Sequence, residues 1–484
     1  MTDVRAARRS PPTRPELLGL AAATIAAFAV AVVFLGRREF WLDESFSYTV
    51  ARQSWGELAR FSFDRDGELN MALYYAVLKP FADTGASAWW LRLPSVLPIM
   101  ATVPLVWLIA DRIDGRRFVR VAAVALALTQ PLLMSYAFET RAYGLLTLLT
   151  VGLTLLLVIT LDGSRTAGVA YAVLLVVGVT LHLLVVVVAV AQLVAVLVVT
   201  DGPATRRLGR AVALTGPGLL AAGIAGFALV RFQGNLEHDD PVSLRSIASA
   251  VYAATGRAGP LTFLVLAAAA AGIVAVARGR GQPRTGWVVV LTVAIPPVLQ
   301  LVAAIQRPVF SARYLVHLVP LLCCLVAVGL ATVFAHRRAR VAALATFVVL
   351  GVVGQAVIYR SPSDEIPDTA SRFVVARTAP GDVIAFNSPN AQLPFRHHLD
   401  ESGATGPRQV DQVTDPDFPS RMTELEPLPD ALDGLDPGAT VWVMEDRPSA
   451  DRTDDLEDQL RGAGYAPVDR ATFGEIVVQQ WRRG

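Results

Sequence analysis

The chain is built mostly of long apolar runs separated by short polar breaks, and that pattern stops near its C-terminal quarter. Runs of spanning length, about 17 to 25 residues each, fall at 17–35, 88–110, 119–137, 143–160, 211–230, 260–277, 287–305, 314–334 and 341–359. The run 168–199 is too long for one helix. At 1.5 Å per residue it would reach roughly 48 Å, against a hydrocarbon core of about 30 Å. A division near Thr180-Leu-His182 makes eleven spans in all. Past Tyr359 the apolar runs shrink to strand length, and Pro, Asp and Gly become frequent. Strands are expected at 382–386, 440–444, 467–473 and 476–481, with helices near 367–379, 418–433 and 451–463. Gly474 between the last two strands favours a hairpin. The expected fold is mainly α, a polytopic membrane helix bundle with a C-terminal extracytoplasmic α/β domain.

Composition agrees with this reading. Hydrophobic residues make up 54% of 484 and charged residues 17%, which is too apolar for one water-soluble core. A net charge of +2 with no basic stripe outside the loops argues against nucleic acid as a partner. Cys323 and Cys324 are adjacent within an apolar run, where they behave as small hydrophobes and build no disulfide framework.

Orientation follows from arginine, because Lys79 is the only lysine. Arg5, Arg8, Arg9 and Arg14 precede the first span, and Arg112, Arg116, Arg117 and Arg120 follow the second. Arg206, Arg207 and Arg210 follow the sixth, Arg278, Arg280 and Arg284 the eighth, and Arg337, Arg338 and Arg340 the tenth. Alternate loops are therefore basic and are expected to face the cytoplasm. Arg37 and Arg38 fall on the other side, diluted by the acids behind them. The first run ends in Gly36-Arg-Arg-Glu39 without the small residues of a cleavage site, so it reads as a retained span. Residues 1–16 then form a cytoplasmic tail, 17–359 the membrane domain, and 360–484 an extracytoplasmic domain of a protein in the plasma membrane.

The first outer loop, about 36–87, is long for a helix connection. Trp55, Leu58 and Ala59 share one face of a stretch whose other positions include Arg52, Glu57 and Arg60. Leu73, Tyr74, Val77, Leu78 and Phe81 make a second such face. Both suit helices lying in the membrane interface or packing under the protein's own outer part.

Candidate chemistry begins in that loop. Asp43-Glu44 lies just past the first span, beside Phe40 and Trp41. Carboxylates at a bilayer edge serve chemistry or simply start a solvated loop. Arg141 and Arg313 stand at outer span ends, where guanidinium suits a lipid phosphate, although snorkelling also explains Arg313. His182 falls where the long run must break, as an interface histidine or as a hydrogen-bonding group for phosphate or sugar. Asp64-Arg-Asp66 spells the acidic triplet of soluble sugar-nucleotide transferases, but it is expected outside the cell, where nucleotide sugars are scarce, and reads as solvated acids. Glu237-His-Asp-Asp240 and His397-His398 have the chemistry of metal ligands but adjacent spacing that better suits exposed loops. No Gly-rich phosphate loop follows the first tail strand, where the chain has Asn387-Ser-Pro-Asn390, so no nucleotide is assigned.

Six motifs in order carry a resemblance: Asp43-Glu44, Leu73-Tyr-Tyr75, Arg92-Leu-Pro-Ser95, Glu139-Thr-Arg-Ala-Tyr143, Thr180-Leu-His182 and Arg313-Tyr314. Together they resemble the protein O-mannosyltransferase-like family of GT-C membrane glycosyltransferases, over roughly residues 15–335, and the soluble tail resembles those of bacterial members. The resemblance implies a GT-C bundle that moves a sugar, mannose or another hexose or pentose, from a polyprenyl-phosphate donor. The acceptor would be a hydroxyl of an envelope glycan, lipid or protein at the outer membrane face, and the first-loop aspartate, Asp43, the general base. It also marks Asn70, Tyr74, Arg92, Glu139, Tyr143 and Tyr314 as site candidates. Many relatives carry His-Pro-Pro where this chain has Asn70-Met-Ala72. Asn70 cannot take up a proton near neutral pH; it can bond a sugar hydroxyl or metal-bound water, or cap the helix that follows.

The chemistry suits these residues. A lipid phosphate leaves without protonation, so transfer needs one base for the acceptor hydroxyl and positive charge for the phosphate, unlike glycoside hydrolysis with its paired carboxyls. Glu44 would either orient Asp43 or hold a divalent cation such as Mg2+ or Mn2+. A single displacement inverts the anomeric centre. A transporter or flippase of lipid-linked sugar is the competing class, and a polymer-ligating or structural assembly subunit a third. Transporters favour repeats and midplane charges, whereas this chain shows no repeat and keeps its charges at the outer rim.

Overall fold

A computed structural model describes residues 13–63, 68–232, 242–305, 310–360, 367–411, 426–436, 438–446 and 450–484. The acidic stretch Asp64-Arg-Asp66 and Glu237-His-Asp-Asp240 lie outside them.

Helix α1 (Arg14–Leu35) is followed in the first loop by α2 (Leu42–Ala51), α3 (Trp55–Phe63), α4 (Ala72–Thr84) and the single turn α5 (Ala88–Leu91). The bundle continues with α6 (Leu93–Ile113), α7 (Arg117–Leu128), α8 (Pro131–Ala137), α9 (Tyr143–Leu161), α10 (Arg165–Leu181) and α11 (Val185–Val199). Then come α12 (Ala204–Phe232), α13 (Leu244–Ala254), α14 (Gly259–Ala277), α15 (Pro283–Ala304), α16 (Val319–Val333) and α17 (Arg337–Arg360). Among the described residues eight helices are long and apolar enough to cross a membrane, α7 with α8 makes a ninth bent by 53°, and α10 and α11 are shorter apolar helices. The protein is a multi-pass membrane protein. Two expected spans change shape. The run drawn at 119–137 breaks at Thr129-Gln130, because Pro131 cannot donate a helical hydrogen bond and disfavours helix in the residue before it. The run drawn at 88–110 forms its long helix only from Leu93, after the separate turn of α5.

The chain folds as two compact units, one of residues 1–33, 69–74 and 93–360, the other of 34–68, 75–92 and 361–484. In the first, the stretch Ala312–Val333 is the most enclosed span, whereas α1, α12 and α17 turn Leu18, Ile25, Phe227 and Val349 outward, as helices facing lipid do. Backbones touch where glycines meet. A Cβ on Gly329 of α16 would stand 1.8 Å from the Ala268 carbonyl of α14, and one on Gly144 of α9 would stand 2.2 Å from the Ser95 carbonyl of α6.

The second unit is built on a six-stranded sheet of order β3-β2-β1-β4-β6-β5, with β1 (Val383–Phe386), β2 (Arg408–Asp411), β3 (Glu426–Pro427), β4 (Thr440–Asp446), β5 (Tyr465–Phe473) and β6 (Ile476–Arg483). The first four strands are parallel, and β6 pairs antiparallel with both β4 and β5 across Gly474, whose φ is 61°. Val383, Ala385, Val441 and Val443 pack under α20 (Leu428–Asp433) and α21 (Ala450–Gly462). Ile384, Phe386, Trp442 and Met444 pack under α18 (Pro367–Val375) and α19 (Pro389–Ser402). Burial on both faces explains the unbroken apolar run of β1.

First-loop residues complete this unit. Glu39 accepts hydrogen bonds from the Asp368 amide at 2.9 Å and the Thr369 amide at 3.3 Å, capping the start of α18. Lys79 is buried, its ammonium bonded to the carbonyl of Gln53 at 2.7 Å and to Asp83 at 2.9 Å, 5.5 Å from the Trp55 ring centre. On the faces expected to be apolar, Leu58, Tyr74 and Leu78 are buried, while Trp55 and Ala59 are exposed.

Candidate functional site

Asp43 and Glu44 occupy the first turn of α2, which starts after an extended Trp41. Unsatisfied amides and the helix dipole there favour negative charge. Adjacent helical positions do not share a face, and the two acids part accordingly. Glu44 is 0% exposed, whereas Asp43 keeps part of its surface open. Arg92, 1% exposed at the end of α5, donates from Nε to Glu44 Oε1 at 2.8 Å and from Nη2 to Oε2 at 2.7 Å. Its remaining hydrogens reach the carbonyls of Leu35 at 2.6 Å, Arg38 at 3.0 Å and Glu39 at 3.2 Å, and Phe40 lies 5.6 Å from its guanidinium carbon. Arg92 therefore ties the end of α1 to the start of α2.

The first unit assembles a second group. Glu139 and Arg141 sit in the turn between α8 and α9, which the Arg141 amide closes onto the Glu139 carbonyl at 2.8 Å. Ser95 Oγ donates to the Arg141 carbonyl at 2.9 Å, anchoring the turn to α6 near Gly144. Tyr143 opens α9 and packs its ring against Tyr136 at 5.0 Å and His182 at 5.7 Å. His182 ends α10 in extended conformation, and its Nδ1 accepts from the Leu184 amide at 3.2 Å. It feels the charges of both Arg141 and Arg313. Arg313 and Tyr314 lie in the 3-10 turn Ala312–Leu318, with the guanidinium carbon 5.4 Å from the Tyr314 ring and the Tyr314 carbonyl held by Gln300 at 3.1 Å. Asn70 lies in the 3-10 turn Leu69–Met71 ahead of α4, where Tyr74 is buried.

Two residues of the first unit escaped the motif reading. Arg257 acts electrostatically on Tyr136 together with Arg313 and Glu139. Its backbone is left-handed, φ 53°, alone among the described non-glycine residues, and Tyr252 Oη holds its carbonyl at 2.6 Å. His317 is wholly buried beside the same cluster, and neither ring nitrogen has a hydrogen-bond partner among the described residues. Neither sits in a recognisable motif. The only sequence signal is a charge or imidazole next to an apolar run.

His397 and His398 do not lie in an exposed loop as expected. Both are buried on α19, because the short amphipathic helix beginning at Pro389 packs its apolar face on the sheet. His397, Asp368 and Glu401 form the one group of three donors spaced for a metal ion among the described residues.

No protein-family profile matches the chain, and no curated protein matches it by sequence. Solved structures do match in fold. ArnT from Cupriavidus metallidurans in the apo state superposes with a TM-score of 0.63 at 14% identity, covering 96% of this chain and 98% of that one. The same protein bound to undecaprenyl phosphate gives 0.60 at 15% identity, with the same coverages of 96% and 98%. The oligosaccharyltransferase of Archaeoglobus fulgidus, tethered to an acceptor peptide, gives 0.52 at 11% identity over 93% of this chain and 73% of that chain. The fold is thus of the GT-C type, a membrane helix bundle with a C-terminal α/β domain.

Proposed function

We propose that this chain is a membrane glycosyltransferase that moves a sugar from a polyprenyl-phosphate donor to a hydroxyl acceptor at the outer membrane face. The observation that carries the reading is the division of labour at the start of α2. Glu44 is locked by Arg92, and Asp43 remains partly open in the first turn of the helix. Asp43 takes the acceptor proton as the acceptor oxygen attacks the anomeric carbon. The bond to phosphate breaks, polyprenyl phosphate leaves with the electron pair, and the anomeric centre inverts. Glu44, with each oxygen engaged by Arg92, serves to orient the turn carrying Asp43.

Arg141 and Arg313 neutralise the donor phosphate, and His182 and Tyr143 hydrogen-bond phosphate or sugar. Support comes from two of the fold neighbours, whose structures were determined with undecaprenyl phosphate and with an acceptor peptide. The six ordered motifs favour a protein O-mannosyltransferase-like donor, mannosyl or another hexosyl or pentosyl group. Acceptors are envelope glycan, lipid or protein.

Purified protein incubated with radiolabelled polyprenyl-phosphate sugars and an envelope extract tests this. Label moving to an acceptor, and lost with Asp43→Asn, is the expected result. Donor crossing vesicle bilayers without transfer would replace the enzyme with the flippase reading.

A further inference from the structure

Asp368 lies near the start of α18, and His397 and Glu401 stand four apart on α19, hence on one helical face. One donor atom from each lies within 4.8 Å of the others. The imidazole of His397 is held from three sides. Phe40 stacks on it at 3.9 Å, Tyr48 meets it edge-on at 5.1 Å, and Nε2 stands 2.8 Å from the Ala86 carbonyl. A carbonyl can only accept, so Nε2 carries the hydrogen and the lone pair resides on Nδ1. That Nδ1 is buried, in a residue 1% exposed, and has no hydrogen-bond partner among the described residues. Oδ1 of Asp368 is likewise buried without a hydrogen bond, with His398 Nδ1 3.7 Å away.

A buried acceptor with no donor costs about 1–3 kcal/mol, and His397 and Asp368, which each bring a donor atom within 4.8 Å of the other, hold one apiece. A cation would satisfy both at once. The outer hydrogen bonds are already those of a metal site, where each ligand is oriented by a second group. Phe40 donates its amide to Asp368 Oδ2 at 3.5 Å, Ala86 accepts from His397, and Ala88 donates its amide to Glu401 Oε1 at 3.1 Å. All three supports are first-loop backbone.

We propose that Asp368, His397 and Glu401 bind a divalent transition-metal ion, Zn2+ or Mn2+. One imidazole with two carboxylates suits these borderline ions better than Mg2+, which prefers an oxygen shell rich in water. Donors about 2.0–2.2 Å from the ion stand roughly 3.3 Å apart, so the group closes slightly on binding, and exposed Glu401 supplies the movement. The ion clamps α18 and α19 to the turn before α5 and to Phe40. It requires no assumption about sugar transfer.

Full-length protein in detergent, stripped with EDTA, would be dialysed against Zn2+ or Mn2+ and its metal content measured. Wild type should retain one ion per chain and gain thermal stability on loading. Glu401→Gln, at an exposed position, should keep the fold and bind at least about 10–100-fold more weakly. His397→Gln should bind none. Co2+ loading gives a second readout, with visible absorption bands in wild type that Glu401→Gln weakens. Wild type that takes up no ion, or as much as a folded Glu401→Gln, overturns the proposal.

Discussion

The side chain of Arg92 takes both carboxylate oxygens of Glu44 while filling the carbonyls of Leu35, Arg38 and Glu39. Removing one partner of such a buried pair strands the other, at about 3–5 kcal/mol. Arg92→Ala is therefore expected to lower the thermal midpoint steeply in detergent. Arg92→Lys should lose less, because it keeps the charge but not the planar fork. An unchanged midpoint in Arg92→Ala would contradict the anchor role.

Asp43→Asn tests the adjacent acid. The change is nearly isosteric, so the thermal midpoint and donor binding should stay at wild-type values. Transfer should fall by about 10² to 10⁴, the usual worth of a general base. Turnover equal to wild type would remove Asp43 from the mechanism.

Arg141→Ala and Arg313→Ala should act on donor capture. Each loses a charge-assisted contact worth about 1.5–3 kcal/mol, which raises the donor KM by about 10- to 100-fold. Arg257→Ala, at the left-handed turn, should show a smaller effect of the same kind. A loss confined to kcat would assign these arginines to another step.

Glycine contact between α14 and α16 predicts a packing defect. Gly329→Val puts a branched side chain where the Ala268 carbonyl stands 1.8 Å from a built Cβ, so the helices must separate. A loss of about 1–3 kcal/mol or more is expected, read as lowered yield of folded protein in detergent. Wild-type yield and stability would show that the two backbones do not meet there.

At α3, Glu57 accepts from the Ser54 amide at 2.9 Å and the Glu57 amide reaches Ser54 Oγ at 3.3 Å, a reciprocal cap. Hydrogen bonding to the Ser54 side chain first, and to the Ser54 amide second, holds the Glu57 carboxyl below its ordinary value of 4.5. The depressed value means that the cap contributes fully above pH 4.5 and is lost as pH falls through the lower folded-state value. Protection of the α3 amides, taken relative to the intrinsic exchange rate at each pH, should fall on that acidification and should not change with pH in Glu57→Gln.

Local pattern explains what was legible beforehand. Apolar runs placed the spans, and the overlong run forced the break that His182 now occupies. Four strands and the Gly474 hairpin followed from short apolar runs and turn chemistry. What stayed hidden was long-range. Arg92 meets Glu44 across 48 positions, and nothing local marks that pairing. Helix α19 went unread because its sequence is polar and holds Pro394, and β3 is too short to show a period. Arg257 was missed because a left-handed backbone at arginine has no sequence signature.

The solitary lysine carries a practical consequence. Lys79 is the chain's only lysine, and its ammonium is occupied by the Gln53 carbonyl and Asp83. Amine-directed acylating reagents thus have one side-chain target, shielded while the first loop is packed. The rate at which that single amine is acylated becomes a built-in clock for opening of the loop that carries Asp43, readable by mass without any engineered label.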